Sequence, residues 1–202
     1  MKHYFLTVAL LTACTSASSD PIVILDTTEG AIEITVYPDK APISSADFLR
    51  YVDDGLYDGQ GFYRVVRPDN DPRGMGMSLI QGGRLDSEMI GDPIAHELTT
   101  ETGISNADGA VSIARLEPGS GSAAYFFINV GNNDFLDTGG SRNEDGQGYA
   151  TFARVTDGME VVTTIQAMNT GEEGDEGVTR GQILETPVII TRAYRKSQPS
   201  NH

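Results

Sequence analysis

One cysteine, three histidines and 14 basic residues against 29 acidic ones are the scarcities that decide most in this chain of 202 residues. A lone thiol, Cys14, makes neither an internal disulfide nor a cysteine-rich metal site. His3 and His202 sit at the termini, so only His96 lies inside the chain. That starves any multi-histidine metal site or histidine relay, and His96 itself reads as structural. A net charge of -15 repels phosphate backbones, so nucleic acid is not an expected partner. The acidic stretches Asn143 to Asp145 and Glu172 to Glu176 lack the spaced oxygens and closing Glu of a calcium loop. No cofactor and no metal are expected. The apolar run Tyr4 to Leu11 is too short to cross a hydrocarbon core about 30 Å thick, which takes roughly 20 helical residues.

Enough apolar material remains for a core: 39% hydrophobic residues beside 23 glycines, the usual share for a globular chain. The start, Met1-Lys2-His3, is basic; Tyr4 to Leu11 is apolar, and small residues follow to Ala13. This is the pattern of a secretory signal over residues 1–13. It ends Leu11-Thr12-Ala13-Cys14, which resembles the lipobox of bacterial lipoproteins. That resemblance implies cleavage before Cys14 and acylation of it, hence membrane attachment through an N-terminal lipid; two or more acyl chains anchor stably. Thr15 rather than Asp after the cysteine leans, by the same resemblance, towards the periplasmic face of an outer membrane. Residues 14–20 then form a lipidated polar tether, residues 21–195 one folded domain, and residues 196–202 a polar tail.

Ile22 to Leu25 is a β-branched run, and Ile32, Ile34 and Val36 alternate with polar or small residues, so two strands flank a turn at Glu29-Gly30. Pro42 and the capping-box variant Ser44-x-x-Asp47 predict a helix that buries Phe48, Leu49 and Val52 and ends at Gly55. Further strands are expected at Phe62 to Val66, Ser78 to Gln81, Ala110 to Ala114, Tyr125 to Val130 and Ala150 to Val155. Asp157-x-x-Glu160 predicts a second helix carrying Val161, Val162, Ile165 and Met168, and a last strand runs from Pro187 to Ala193. Many short strands and two helices point to an antiparallel barrel or a sandwich.

Three blocks carry a family resemblance: Phe62-Tyr63-Arg64-Val65-Val66 with Ile80-Gln81-Gly82-Gly83; Gly109 to Arg115 with Tyr125-Phe126-Phe127-Ile128-Asn129; and Asp134-Phe135-Leu136-Asp137 with Tyr149-Ala150-Thr151-Phe152. In this order they resemble the cyclophilin family of peptidyl-prolyl isomerases, especially its exported bacterial branch. The resemblance spans about Ile22 to Ala193. It implies a mainly β fold, a closed eight-stranded antiparallel barrel capped by two helices, and cofactor-free isomerisation of X-Pro bonds in extended or unfolded protein segments. A monomer is expected, with proline-containing peptide segments as partners.

The same resemblance assigns roles. Arg64 would donate to the nitrogen of the twisted amide. Leu79, Phe127 and Leu136 would line a socket for the proline ring, with Phe135 at its rim. Gln81 would face the substrate carbonyl, Arg115 would act chiefly through its main chain, and Tyr149 would sit at the socket edge. Adjacent Phe126 and Phe127 must point to opposite faces of a strand, so one fills the barrel and the other the groove. The sequence departs from the family pattern in several places. Ser78 stands where an aromatic is common, Tyr125, still expected among the substrate-binding residues, where a second glutamine is common, and Phe135 where many members carry Trp. Insertions run from Arg67 to Met77 and from Thr138 to Gly148. Ser78 and Tyr125 favour a rival reading, a weakly catalytic or non-catalytic peptide-binding chaperone on the same fold. Met75 and Met77 read as loop packing.

Overall fold

Eight strands close into one antiparallel barrel. The computed structural model describes residues 20–85, 91–172 and 179–197; the expected signal, Cys14 and nearly all of the tether lie outside them. In chain order the elements are β1 (Ile22–Thr27), β2 (Gly30–Val36), α1 (Pro42–Asp53), β3 (Gly61–Val66), β4 (Leu79–Gly83), the four-residue α2 (Thr99–Thr102), β5 (Ala110–Ile113), β6 (Tyr125–Asn129), a 3-10 turn (Asp134–Leu136), β7 (Thr151–Asp157), α3 (Met159–Gln166) and β8 (Ile183–Arg195). The strands pair as β1-β2-β7-β5-β6-β4-β3-β8, and β8 returns to β1. Closure decides between the barrel and the sandwich that alternation alone left open, and it removes the exposed edges of an open sheet. No helix among the described residues is long and apolar enough to cross a membrane.

The alternating residues Ile32, Ile34 and Val36 all point inward and are fully buried. An aromatic cluster fills the middle: Phe126 meets Phe48, Tyr57 and Phe62 edge-on, with ring centroids 5.7, 5.4 and 5.8 Å apart. Such pairs add about 0.5–1.5 kcal/mol each beyond area burial. Phe48 enters from α1 with Leu49 and Val52, the face that the helical spacing predicted, while α3 contributes Val162 and Ile165.

Both helix starts differ from expectation. Ser44 lies inside α1, whose N-cap is Ala41 and carries no side-chain cap. The carboxylate of Glu97 instead accepts the N–H groups of Ile43 (3.0 Å) and Ser44 (2.8 Å). A buried anion from a distant segment thus satisfies two donors that the helix cannot. At α3 the N-cap is Gly158 at φ 88°, and Asp157 belongs to the end of β7. A Cβ on Gly158 would lie 2.4 Å from the Ala31 carbonyl oxygen, so glycine is required there. The last strand starts at Ile183, earlier than expected, with its β3 register jumping between Val188 and Ile183. Pro187 sits inside that jump, where its missing N–H costs no ladder bond.

Candidate functional site

β3 pairs with β4 so that Phe62 faces Gly82 and Arg64 faces Gln81, leaving Tyr63 as the extra residue of a bulge. Phe62 and Val65 join the barrel core, whereas Val66 belongs to a second, separate cluster. The bulge re-aims the strand. Tyr63 and Arg64 both reach Gln81: the Arg64 Nη1 donates to its Oε1 at 2.7 Å, and its Nε2 donates to the Tyr63 hydroxyl at 2.8 Å. Gly82 and Gly83 make this possible. A Cβ on Gly82 would meet the Phe62 ring at 2.6 Å, and one on Gly83 would meet the Ala124 carbonyl oxygen at 2.0 Å. The Gln81-Gly82-Gly83 run is therefore a close approach of three strands and not a turn.

Beside Arg64 lies the second apolar cluster. It buries Val66, Met77, Leu79, Phe127 and Leu136, with Ala114, Phe135 and Tyr149 partly buried against it. The expected socket residues are brought together, and Phe135 sits half-exposed beside them, as a rim residue would. Phe126 and Phe127 divide between the two clusters as strand alternation requires. The Phe127 and Tyr149 rings stand edge-to-face at 5.2 Å. Leu136 and Phe135 ride on the 3-10 turn, which Asp137 pins. One of its oxygens accepts from the Asn106 N–H and side-chain amide, both at 2.7 Å, and the other from the Ser105 hydroxyl at 2.5 Å.

Met77 is loop packing, as expected, yet it packs in one cluster with the expected socket residues Leu79, Phe127 and Leu136. Ser78 turns its hydroxyl to Gln166 of α3, which donates to it at 2.8 Å. Ser78, one of the two residues that favoured the rival reading, thus faces away, and Met77 occupies the apolar cluster. Tyr125 is not brought into the socket. It packs at the border of the barrel core, close enough to Tyr63 to act on it electrostatically.

The side chain of Arg115 has a job of its own, apart from the main-chain role its position suggested. Its side chain makes a two-pronged ion pair with Asp145, 2.9 Å for each bond, and donates to the Gly148 carbonyl at 2.8 Å. Its guanidinium also lies over the Tyr149 ring. The side chain therefore straps down the Thr138 to Gly148 insertion. The main-chain N–H and C=O of Arg115 make no hydrogen bond among the described residues. The two insertions also meet each other. Arg73 donates to the Arg142 carbonyl at 2.6 Å, and Arg142 lies 3.6 Å from Asp71. Asp71 accepts the N–H groups of Arg73, Met75 and Met77. His96 Nε2 meets the Gln147 carbonyl at 3.1 Å, consistent with its structural reading.

Charge follows this geometry. Burial pushes the Arg64 guanidinium below its ordinary value, an effect that Tyr63 and Tyr149 offset only in part; it stays charged. Burial pushes the Tyr63 hydroxyl up to about 12, so it stays protonated. Burial raises the Asp71 carboxyl, but the N–H groups of Met77, Arg73 and Met75, followed by Arg142, bring it below the usual carboxylate range. The hydrogen bond from Arg115 lowers Asp145 in the same direction. Both lowered carboxyls stabilise the loops above the ordinary carboxylate range, and that contribution is lost as pH falls through their folded values.

One site residue escaped the sequence reading. Gln182, fully buried just before β8, accepts both the Nε (2.9 Å) and the Nη2 (2.7 Å) of Arg64 on its Oε1. A lone glutamine after a turn carries no signal of such a role.

Residues 22–193 match the family described as cyclophilin type peptidyl-prolyl cis-trans isomerase/CLD. The chain is 36% identical over 175 residues to peptidyl-prolyl cis-trans isomerase B of Escherichia coli (strain K12), covering 84% of this chain and 99% of that protein. It is 35% identical over 182 residues to peptidyl-prolyl cis-trans isomerase A of Dickeya dadantii (strain 3937), covering 88% and 86%. The fold superposes on the crystal structure of a Cryptosporidium parvum cyclophilin type peptidyl-prolyl cis-trans isomerase with a TM-score of 0.65 and 19% identity, over 89% of this chain and 99% of that one.

Proposed function

The chain belongs to the cyclophilin-type peptidyl-prolyl cis-trans isomerases, and from that premise we propose that it turns X-Pro bonds at Arg64, in extended or unfolded protein segments outside the cytoplasm. The observation that carries the reading is a charged guanidinium, held by neutral amides, beside the apolar cluster of Leu79, Phe127 and Leu136. Rotation about a peptide bond faces a barrier of about 18–20 kcal/mol because amide resonance must be broken. The cis and trans X-Pro forms are close in energy, yet uncatalysed exchange takes tens of seconds or longer. A catalyst therefore needs to hold a twisted amide and requires no nucleophile.

The proline ring enters the Phe127, Leu79 and Leu136 socket, which leaves the preceding residue to run extended past the open main chain of Arg115. As the amide twists, its nitrogen becomes pyramidal and gains a lone pair. Arg64 keeps two N–H donors beyond the three it spends on Gln81 and Gln182. One of these meets that lone pair, an interaction that exists only near the transition state. Such a mechanism acts on any accessible X-Pro bond. The wild type should therefore accelerate the slow, proline-limited refolding phase of an unfolded protein, read by stopped-flow fluorescence with sub-stoichiometric enzyme. An unchanged slow phase would remove the folding role.

The lipid reading rests on the Leu11-Thr12-Ala13-Cys14 pattern. A lipid on Cys14 would hold the domain at a membrane, on the periplasmic face of an outer membrane by the Thr15 rule, with residues 15–20 as spacer. Cys14→Ser should release or misprocess the protein. Fractionation with detergent partitioning reads this, and a mature, membrane-bound mutant would defeat the anchor.

A further inference from the structure

We propose that Gln182 is a positioning residue for Arg64, and that the Arg67 to Met77 insertion is what holds Gln182 in place. The inference rests on the reading of Arg64 as the catalytic donor. A guanidinium on a long flexible stem delivers a directed hydrogen bond only if its plane is fixed. Here two oxygens fix it: Gln182 Oε1 takes Nε and Nη2, and Gln81 Oε1 takes Nη1. Both are neutral, and Arg64 makes no ion pair among the described residues. Its charge is therefore left for the substrate, whereas a carboxylate in the same place would neutralise it.

The orientation of the Gln182 amide is itself imposed. Its Nε2 donates to the Asn70 carbonyl at 2.8 Å, so a flipped amide would set oxygen against oxygen. Asn70 belongs to the insertion and grips the same strand start: its Nδ2 donates to the Gly181 carbonyl at 3.0 Å, and its Oδ1 accepts the Arg67 N–H at 2.7 Å. The Gln182 carbonyl accepts the Val65 N–H at 2.8 Å, tying the residue to the strand that carries Arg64. Insertion, glutamine and guanidinium form one hydrogen-bonded chain. The insertion thus acts as a brace behind the catalytic side chain.

Two variants test this in the full chain with an X-Pro peptide. Gln182→Ala removes the oxygen, and turnover should fall on the order of tenfold or more, as misplacement of a catalytic group does. Peptide affinity should stay within about twofold, since the bound ground state does not use the lost geometry. The Arg64 Nε–H resonance should be dispersed and protected in the wild type, where it is hydrogen-bonded, and should collapse towards its free position in this variant. Gln182→Glu keeps the volume and an acceptor but adds a charge; turnover should fall as well, this time with the resonance still protected. If Gln182→Ala does not fold, the near-isosteric Gln182→Glu carries the test. Turnover within about twofold of wild type in the folded variants overturns the proposal. If Arg64→Ala also keeps its turnover, the catalytic reading has failed. If Arg64→Ala loses turnover and the Gln182 variants do not, only the brace has failed.

Discussion

Arg64→Ala should cut the rate of X-Pro isomerisation on the order of 10- to 100-fold, with peptide affinity only modestly reduced. A hydrogen bond from a charged donor is worth about 1.5–3 kcal/mol, and the lost interaction is made only as the bond twists, so the loss falls on turnover and not on binding. Arg64→Lys should recover part of the rate at most. A point charge lacks the planar fork, and an ammonium has three donors, one fewer than the three bonds to Gln81 and Gln182 plus one to the substrate. A protease-coupled assay on a short X-Pro peptide reads both variants. Wild-type rates for Arg64→Ala would remove this residue from the mechanism.

The second large effect separates two neighbours. Phe126 is fully buried among Phe48, Tyr57 and Phe62, whereas Phe127 belongs to the socket cluster. Phe126→Ala should cost about 3–5 kcal/mol of folding stability, the usual loss for an aromatic removed from a packed core. Phe127→Ala should weaken peptide binding by removing the wall of the proline site. Burying a side chain of that size is worth about 1.5–3 kcal/mol, hence on the order of 10- to 100-fold in affinity. Denaturant midpoints and peptide titrations check the pair. Equal stability losses with equal peptide affinities would contradict the division of faces.

What could be read from the residues depended on range. Strand alternation set Phe126 against Phe127, and helical spacing placed Phe48, Leu49 and Val52 on one face, because both signals lie within a few residues. The motif blocks brought Arg64, Gln81, Leu79, Phe127 and Leu136 to one place. Features that depend on distant pairing were hidden. The α1 cap comes from Glu97, whose partner Ser44 lies 53 residues away, and the Arg64 brace comes from Gln182, 118 residues away. The bulge at Tyr63 is likewise a property of the β3 and β4 register and not of either strand alone. Arg115 was placed at the site by its motif, but its ion pair with Asp145 depends on an insertion that the motif does not contain.

Arg64 as the donor to the twisted amide is the central claim, and exchange NMR on a saturating X-Pro peptide tests it most directly. The method reads the cis-trans exchange rate on the enzyme separately from affinity. The predicted result is rapid on-enzyme exchange in the wild type, and exchange slowed on the order of 10- to 100-fold in Arg64→Ala while the peptide remains bound. Exchange in Arg64→Ala as fast as in the wild type would contradict it.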